Sequence, residues 1–238
     1  MSPLSNRLKI GEESFVIFVA RGEGDLGDLY ALPASGGVPL QVTFTRVEES
    51  APAITGDGSV LAFIRASQRS ETPPTVVFMN LLNGAERRVE LPSGAIPVRL
   101  GWSADQTKLY IRASVMEWSW QEFVVPAPPQ SGFVTRVATD EKPAADSALS
   151  VVLGTPAFAL AGSCLSAPGI CAESDSGESL IDSAGKDPAR WGPDTVAFVA
   201  RGEIQLLPLG GGHLRDVRPS HPLLDLRQPT YAPGPGPR

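Results

Sequence analysis

The chain has 238 residues, of which 42% are hydrophobic, so it is long enough to bury a sizeable core. Its formal net charge is -6, whereas a nucleic-acid-binding protein normally presents a basic surface to the phosphates. No stretch approaches the roughly 20 apolar residues that cross a bilayer as a helix. We therefore predict no nucleic-acid partner and no membrane insertion. The 24 glycines and 23 prolines are spread between short apolar runs, which favours many short strands and turns.

Neither the start of the chain nor its cysteines and histidines indicate a special compartment or a metal. The first ten residues lack the apolar core of a signal peptide, so we expect a cytoplasmic protein, or a periplasmic one if the start is truncated. For Cys164 and Cys171, a small-loop disulfide and two free thiols both stay open. His213 and His221 have no partner at zinc-ligand spacing, so we predict no metal site and no cofactor.

The most regular stretch of the chain, residues 51–64, has the pattern of a strand, a tight turn and a second strand. The predicted turn is Thr55-Gly56-Asp57-Gly58, because glycine supplies a positive φ and aspartate tolerates turn geometry. The second strand, from Val60 to Ile64, is apolar on both faces, which is typical of a strand covered on both sides.

Versions of this stretch recur along the chain. The central residue of the second strand returns every 42 to 47 residues, at Phe18, Phe63, Tyr110, Val152 and Phe198. Such a steady period predicts a repeat architecture. Aspartates stand in the turn before four of these strands: Asp57, Asp105, Asp146 and Asp194. We interpret them as turn residues that bond their own backbone, and the aromatic residues Trp102, Trp191 and Tyr231 beside the turns as packing residues.

Each unit continues with a third strand, a glycine-bearing hairpin turn and a fourth, more polar strand. In the second unit these are residues 75–79, Asn83-Gly84 and residues 85–90, and Asn-Gly is the strongest short hairpin signal. A four-stranded antiparallel meander of this length, repeated around an axis, makes a β-propeller. A solenoid is the alternative, but its repeats are usually shorter.

The two ends of the chain complement each other. The N-terminal unit lacks a clear first strand, and the C-terminal residues 228–231 form a lone first strand. We therefore predict one all-β domain over residues 1–238, with five blades closed by the C-terminal strand. The predicted units are 14–50, 51–96, 97–142, 143–187 and 188–227, followed by the closing strand and tail at 228–238. The competing interpretation takes Leu8-Lys9-Ile10 as a first strand and the chain as part of a larger propeller.

The repeat unit resembles the TolB-like β-propeller family, a relative of WD repeats. Residues 27–44 and 49–63 follow the family pattern of an aspartate-Leu-Tyr strand, a Gly-Gly turn, a threonine ending and a turn into an apolar strand. The sequence departs from that pattern where Val42-Thr43 replaces Leu-Thr and Thr55-Gly56 replaces Ser-Pro. The resemblance implies a binding scaffold for a protein or peptide partner. It also implies an alternative, an accessory N-terminal propeller of a prolyl-oligopeptidase-type serine peptidase or an amidohydrolase whose catalytic domain lies outside this sequence. A decayed fragment without selected function is a third interpretation.

No catalytic motif supports an enzyme. The sequence contains no G-x-S-x-G elbow and no P-loop, and both histidines lie in predicted loops or edges. The adjacent pair Glu48-Glu49 does not suit a glycosidase, because neighbouring residues of one strand point apart. We therefore predict a protein that is not an enzyme.

Four arginines recur at the end of the second strand. Arg65 and Arg112 stand in matching Ile-Arg-Ala-Ser segments, and Arg21 and Arg201 in matching Val-Ala-Arg-Gly segments. Ring symmetry places all four near one face, where they predict a basic collar that meets an acidic ligand or partner. The alternative is inherited repeat sequence, in which each arginine pairs locally.

Overall fold

The structure, a computed structural model, describes eleven ranges of the chain. They are residues 8–22, 26–68, 72–103, 105–116, 119–127, 135–136, 160–161, 169–174, 177–191, 195–208 and 213–232.

Within these ranges the strands form five antiparallel sheets, four with four strands and one with three. The first blade consists, in spatial order, of β19 (Leu224–Ala232), β1 (Phe15–Arg21), β2 (Gly27–Pro33) and β3 (Leu40–Gln41). The second blade consists of β4 (Glu49–Ile54), β5 (Val60–Arg65), β6 (Thr75–Asn80) and β7 (Glu86–Val89). The third blade consists of β8 (Ile96–Trp102), β9 (Lys108–Met116), β10 (Ser119–Pro126) and β11 (Thr135–Arg136). The three-stranded sheet consists of β12 (Leu160–Ala161), β13 (Ile170–Ser174) and β14 (Gly177–Asp182). The last blade consists of β15 (Gly185–Trp191), β16 (Thr195–Ala200), β17 (Glu203–Pro208) and β18 (Arg215–Val217).

This arrangement confirms the prediction of an all-β propeller built from four-stranded antiparallel blades. We call the first strand in each spatial order, β19, β4, β8 or β15, the inner strand of its blade. Several predicted features of the fourth unit lie outside the described residues. They are the second strand at 149–153, Asp146, residues 175–176 of the hairpin turn, Cys164 and the side chain of Cys171. The predicted number of five blades, the unit boundaries and the state of the cysteines therefore stay predictions.

The second strands β1, β5 and β16 are apolar on both faces because the two faces of each pack into different core clusters, whereas in β9 only the alternate residues Leu109, Ile111 and Ala113 are buried. In β5, Leu61 and Phe63 pack into a cluster with Phe15, Ile17 and Val19 of the first blade. The alternate residues Ala62 and Ile64 pack into a different cluster, with Trp102, Leu109 and Ile111 of the third blade. Burial on both faces replaces the in-out alternation of a half-exposed strand by a continuous apolar run.

The C-terminal strand completes the first blade, as predicted. It pairs antiparallel with β1 from Phe15 opposite Ala232 to Arg21 opposite Leu224, so it begins four residues earlier than the predicted residue 228. The competing prediction for Leu8-Lys9-Ile10 is wrong, because Leu8 is followed by turns instead of a strand and β19 occupies the place beside β1.

The turns before the second strands have the predicted structural role. The Asp57 carboxylate accepts hydrogen bonds from the backbone and hydroxyl of Ser59 at 2.9 and 2.7 Å, and Asp105 accepts one from the backbone of Thr107 at 3.1 Å. Trp102 is buried and packs edge-to-face against Phe78. Its indole N–H donates a hydrogen bond to the backbone carbonyl of Ala53 at 3.0 Å. Asp194 and the side chain of Trp191 lie outside the described residues.

Candidate functional site at the arginine end of the propeller

One end of the propeller collects the predicted arginines, and we call it the arginine end. It is the end at which the second strands β1, β5 and β16 finish and at which the inner strands begin. Strand register shows the arrangement: Arg21 lies opposite Leu224, Arg65 lies opposite Glu49, and Arg112 of β9 lies opposite Arg99. The aspartate turns lie at the opposite end, where β4 and β8 finish.

Arg65 is the centre of an ionic triad in the second blade, in which Arg65 and Glu49 are buried and Glu86 is partly exposed. Its Nε donates to Glu49 Oε1 at 2.7 Å, while Nη1 and Nη2 donate to the two oxygens of Glu86 at 2.6 and 2.9 Å. The guanidinium also lies 5.0 Å from the ring centre of Phe63, in reach of a cation–π interaction. The side chain of Glu49 is fully buried and that of Arg65 is 9% exposed. Arg65 therefore links β4, β5 and β7 within the second blade.

The two carboxylates that share Arg65 have pKa values shifted in opposite directions. Burial raises the pKa of Glu49. The hydrogen bonds from Thr43, Arg65 and Thr45 and the positive charge of Arg65 lower this pKa, but their effect is smaller than that of burial. The hydrogen bonds from Arg65 lower the pKa of Glu86, whose side chain is 30% exposed and so loses less hydration. The same pairing raises the pKa of Arg65, which stays charged.

A second, more exposed ionic chain lies beside the triad. Asp225 Oδ2 lies 3.1 Å from Arg227 Nε and 3.6 Å from Arg21 Nε. Arg227 Nη2 donates to Glu48 Oε1 at 2.9 Å, and the other Glu48 oxygen accepts the backbone N–H of Gly27, also at 2.9 Å. A Cβ at position 27 would lie 2.8 Å from Glu48 Oε1 and 2.9 Å from Val19 Cγ1, so a larger residue would displace this chain or the core beside it. This chain attaches the C-terminal strand to the loop that leads into the second blade.

The four collar residues therefore lie in different surroundings. Arg65 is buried, and Arg21 is 45% exposed. Arg201 is 65% exposed, with Nη1 at 3.2 Å from Asp182 Oδ2, and has a left-handed φ of 53°. Arg112 is half-buried between Arg99 on the inner strand and Glu122 on β10, its partners in strand register. A joint action of the four as a binding collar stays a prediction.

Sequence reasoning missed a connection between the inner strands. Three of them contain a bulge at a residue that precedes proline and has a left-handed φ: Ala51 (50°), Asp187 (53°) and Gln228 (49°). Positive φ is uncommon in residues other than glycine, and a bulge redirects the local backbone. Here the backbone N–H of Gln228 bonds Asp187 Oδ2 at 3.2 Å, and the N–H of Ala51 bonds Gln228 Oε1 at 2.7 Å. The repeated X-Pro dipeptide is the sequence signal that marks this connection.

Of the eight exposed large apolar residues in the described part of the chain, four lie at the arginine end, while Val38, Leu82 and Leu214 lie in turns at the opposite end. Leu224 (67% exposed) begins β19, Ile96 (49%) begins β8, and Leu26 (41%) precedes β2. Phe44 (65%) lies in the loop between β3 and β4, whose neighbouring residue Thr43 bonds the backbone of Leu29 at 3.0 Å. Isolated exposed apolar residues are ordinary, so these four mark a candidate surface only together with the exposed arginines Arg21 and Arg201 of the same end.

The described residues offer little for other chemistry. They contain no group of three or more His, Cys, Asp or Glu side chains that could hold a metal, and none of their helices is long and apolar enough to cross a membrane. His213 and His221 are exposed, as predicted. A cavity of about 230 Å³ at the opposite end lies between the turns of the second and third blades, beside Asp57, Trp102 and Gln106.

Comparison with known proteins supports the fold. No protein-family model matches the sequence, and no curated protein matches it. The structure is similar to that of TolB from Acinetobacter baumannii, with a TM-score of 0.52 and 14% sequence identity over 92% of this chain and 67% of the TolB chain. It is also similar to a chain in the crystal structure of a nidogen/laminin complex, with a TM-score of 0.52 and 10% identity over 92% of this chain and 98% of that one. A prolyl endopeptidase structure aligns with 90% of this chain and 31% of its own chain at 13% identity. Its TM-score of 0.37 is too low to establish a shared fold. The two similarities with a TM-score of 0.52 show that the chain has a β-propeller fold like that of TolB.

Proposed function

We propose that the chain is a non-enzymatic scaffold that binds a protein or peptide partner at its arginine end. The observation that carries the proposal is that Leu26, Phe44, Ile96 and Leu224, half of the exposed large apolar residues in the described ranges, lie at the same end as the exposed arginines and the ionic network. The network holds the underlying strands in fixed positions, so little conformational entropy is lost when a partner docks. One of the structurally similar chains comes from a nidogen/laminin complex. A chain with a similar fold therefore occurs in a complex of two proteins, which supports the proposal of a protein partner.

The basic collar belongs to the same proposal. Arg21 and Arg201, the exposed members, face the partner directly, whereas the buried Arg65 positions the strand ends beneath it. Arg112 supplies a further positive charge on the third blade. Charges at the rim of an interface mainly steer association and select the partner.

Site-specific photo-crosslinking in the producing cell tests the proposal. A photoreactive residue in place of Leu224 is expected to trap a partner protein, whereas the same residue in place of Val38, which is 57% exposed and lies in the turn between β2 and β3, is expected not to. The trapped protein, once purified, must bind the purified chain in solution, and Arg21→Ala with Arg201→Ala must weaken that binding. Equal crosslinking at both positions, or solution binding unaffected by the arginine substitutions, would overturn the proposal.

A further inference from the structure

The C-terminal strand β19 consists of two unlike halves. Its second half, residues 230–232, is buried and pairs residue by residue with residues 15–17 of β1. Its first half, residues 224–227, pairs with β1 at only two positions, because the register shifts twice along it. Leu226 alone is buried in this half. Local opening concentrates where a segment makes few buried apolar contacts, so the first half is the weaker part of the strand.

Both register shifts contain a residue with a left-handed backbone. Asp225 has a φ of 53° and Gln228 a φ of 49°. This region is disfavoured for any residue that has a Cβ, and Gln228 is restricted further because it precedes Pro229. Such conformations persist only where the surrounding structure holds them. Release of the first half would therefore relax two strained residues.

Gln228 stands at the junction of the two halves and bonds to both neighbouring blades. Its backbone N–H donates to Asp187 Oδ2 of the last blade at 3.2 Å. Its side-chain Oε1 accepts the N–H of Ala51, in the second blade, at 2.7 Å. Pro229, which follows, has no N–H to donate to β1. The junction is thus held by the two bonds of Gln228 where the pairing with β1 is interrupted.

The ion pairs of the first half lie at the surface. Arg227 pairs with Glu48 and with Asp225, and Asp225 also lies 3.6 Å from Arg21. All four side chains are between 31% and 45% exposed. Ion pairs that are so accessible to water contribute little to stability. They therefore set the resting position of the first half without fixing it.

The chain is fixed again shortly before β19. The backbone N–H of Gly37 donates to the carbonyl of Arg218 at 3.1 Å, and the N–H of Ser220 donates to the carbonyl of Gly37 at 2.6 Å. Residues 221–227, which we call the strap, thus lie between two fixed points, Ser220 and Gln228.

We propose that the strap opens and closes at the arginine end while residues 230–232 stay paired, and that Gln228 is its latch. The two left-handed residues favour opening, and the hydrogen bonds of Gln228 oppose it. When the strap is closed, its Asp225 and Arg227 lie beside Arg21 and Glu48, and opening separates these pairs. The inference goes beyond the proposed function and does not depend on it, because opening is a property of the isolated chain.

Hydrogen exchange of the purified chain, followed by mass spectrometry of overlapping fragments, tests the inference. In the wild type, residues 224–227 are expected to exchange at least about tenfold faster than residues 230–232, after correction for intrinsic rates. Gln228→Met keeps roughly the size of the side chain and removes its acceptor. It is expected to speed exchange of the strap by about tenfold or more and to leave residues 60–65 of β5 unchanged. Gln121→Met makes the same change at a half-buried strand residue of the third blade and should leave the strap unaffected.

A disulfide across the strap keeps the inference testable if Gln228→Met does not fold. Arg21 and Leu224 lie opposite each other on β1 and β19. Opposite residues of an antiparallel pair have Cα atoms about 4.5–5.5 Å apart, which a disulfide can span. Arg21→Cys with Leu224→Cys is made in a chain whose Cys164 and Cys171 are replaced by serine. Oxidation of this variant is expected to slow exchange of the strap, and reduction to restore it.

Three results would overturn the inference. The first is exchange of residues 224–232 as one unit in the wild type. The second is a Gln228→Met variant that exchanges equally fast in the strap and in β5, or no faster than the wild type in the strap. The third is a disulfide whose oxidation leaves exchange of the strap unchanged. None of these results alters the crosslink expected at Leu224, so the proposed function is tested separately.

Discussion

The second and third blades use the same arginine in two different ways. Arg65 and Arg112 stand in identical Ile-Arg-Ala-Ser segments on equivalent strands. Across the inner strand, however, Arg65 faces Glu49 whereas Arg112 faces Arg99. In the second blade Arg65 and Glu49 are buried and Glu86 covers them from the surface, while in the third blade both arginines are half-buried.

The difference shows that the role of a repeated residue is set by what its neighbouring strand presents. A carboxylate opposite Arg65 allows the guanidinium to leave water and to link three strands of the second blade. An arginine in the equivalent place opposite Arg112 gives two like charges directly across the strands, which is unfavourable by a few tenths of a kcal/mol to about 1 kcal/mol. Arg65 in the second blade is therefore a structural residue, whereas Arg112 in the third blade is half-buried near the surface.

Removal of Arg65 is expected to have the largest effect. Arg65→Ala leaves the fully buried Glu49 without its cation, and breaking a buried pair from one side costs about 3–5 kcal/mol. Arg112→Ala leaves no fully buried carboxylate and is expected to cost clearly less. Urea unfolding of both variants measures the difference in the free energy of unfolding.

A compensated variant is the control for this experiment. Replacement of both partners by apolar residues, Glu49→Leu with Arg65→Met, removes the stranded charge and is expected to be less destabilising than Arg65→Ala alone. Equal destabilisation by Arg65→Ala and Arg112→Ala would show that the two blades do not differ in the way the contacts indicate.

The pH dependence of stability is the next test, because the second blade contains two carboxylates with opposite shifts. The raised pKa of Glu49 means that the folded state binds its proton more tightly, so Glu49 reduces stability as pH rises from about 4.5 through its folded pKa. The lowered pKa of Glu86 means that its contribution is present above about 4.5 and is lost as pH falls through its folded pKa.

Two substitutions separate these contributions. Relative to the wild type, Glu49→Gln is expected to gain stability as pH rises above about 4.5, whereas Glu86→Gln is expected to lose stability as pH rises towards about 4.5 and then to stay level. Urea unfolding from acidic to neutral pH measures both differences. Parallel curves for the two variants would contradict the assignment of opposite shifts.

Sequence reasoning was sufficient for the architecture of the second strands and insufficient for the surroundings of the arginines. A run such as residues 60–64 predicts burial on both faces because burial depends on hydrophobic pattern, which is local. The residue opposite Arg65 depends on strand register, and the register is displaced by the bulge at Ala51 and its equivalents. Counting residues along the strand does not reveal such a displacement.

The exposed surface was equally hard to foresee. Phe44 follows a strand ending that is typical of the repeat, where an aromatic residue is an ordinary core candidate, yet it is 65% exposed because Thr43 and Thr45 take the inward positions. The lone C-terminal strand, in contrast, was correctly placed beside β1, because it supplies the first strand that the N-terminal unit lacks.

Conversion of the third blade towards the second is expected to have the smallest effect. Arg99→Glu places a carboxylate opposite Arg112, as Glu49 stands opposite Arg65, and removes one like-charge contact. Because the site is half-buried, the gain is expected to lie between about 0.2 and 1 kcal/mol in the free energy of unfolding and to shrink with added salt. Arg99→Gln is the matched control, since it removes the repulsion without adding the attraction, and should give roughly half of that gain. If the third blade contributes to the collar, Arg99→Glu should also weaken the binding of an acidic partner. A stabilised variant with unchanged affinity for that partner would restrict the functional charge to the first and last blades.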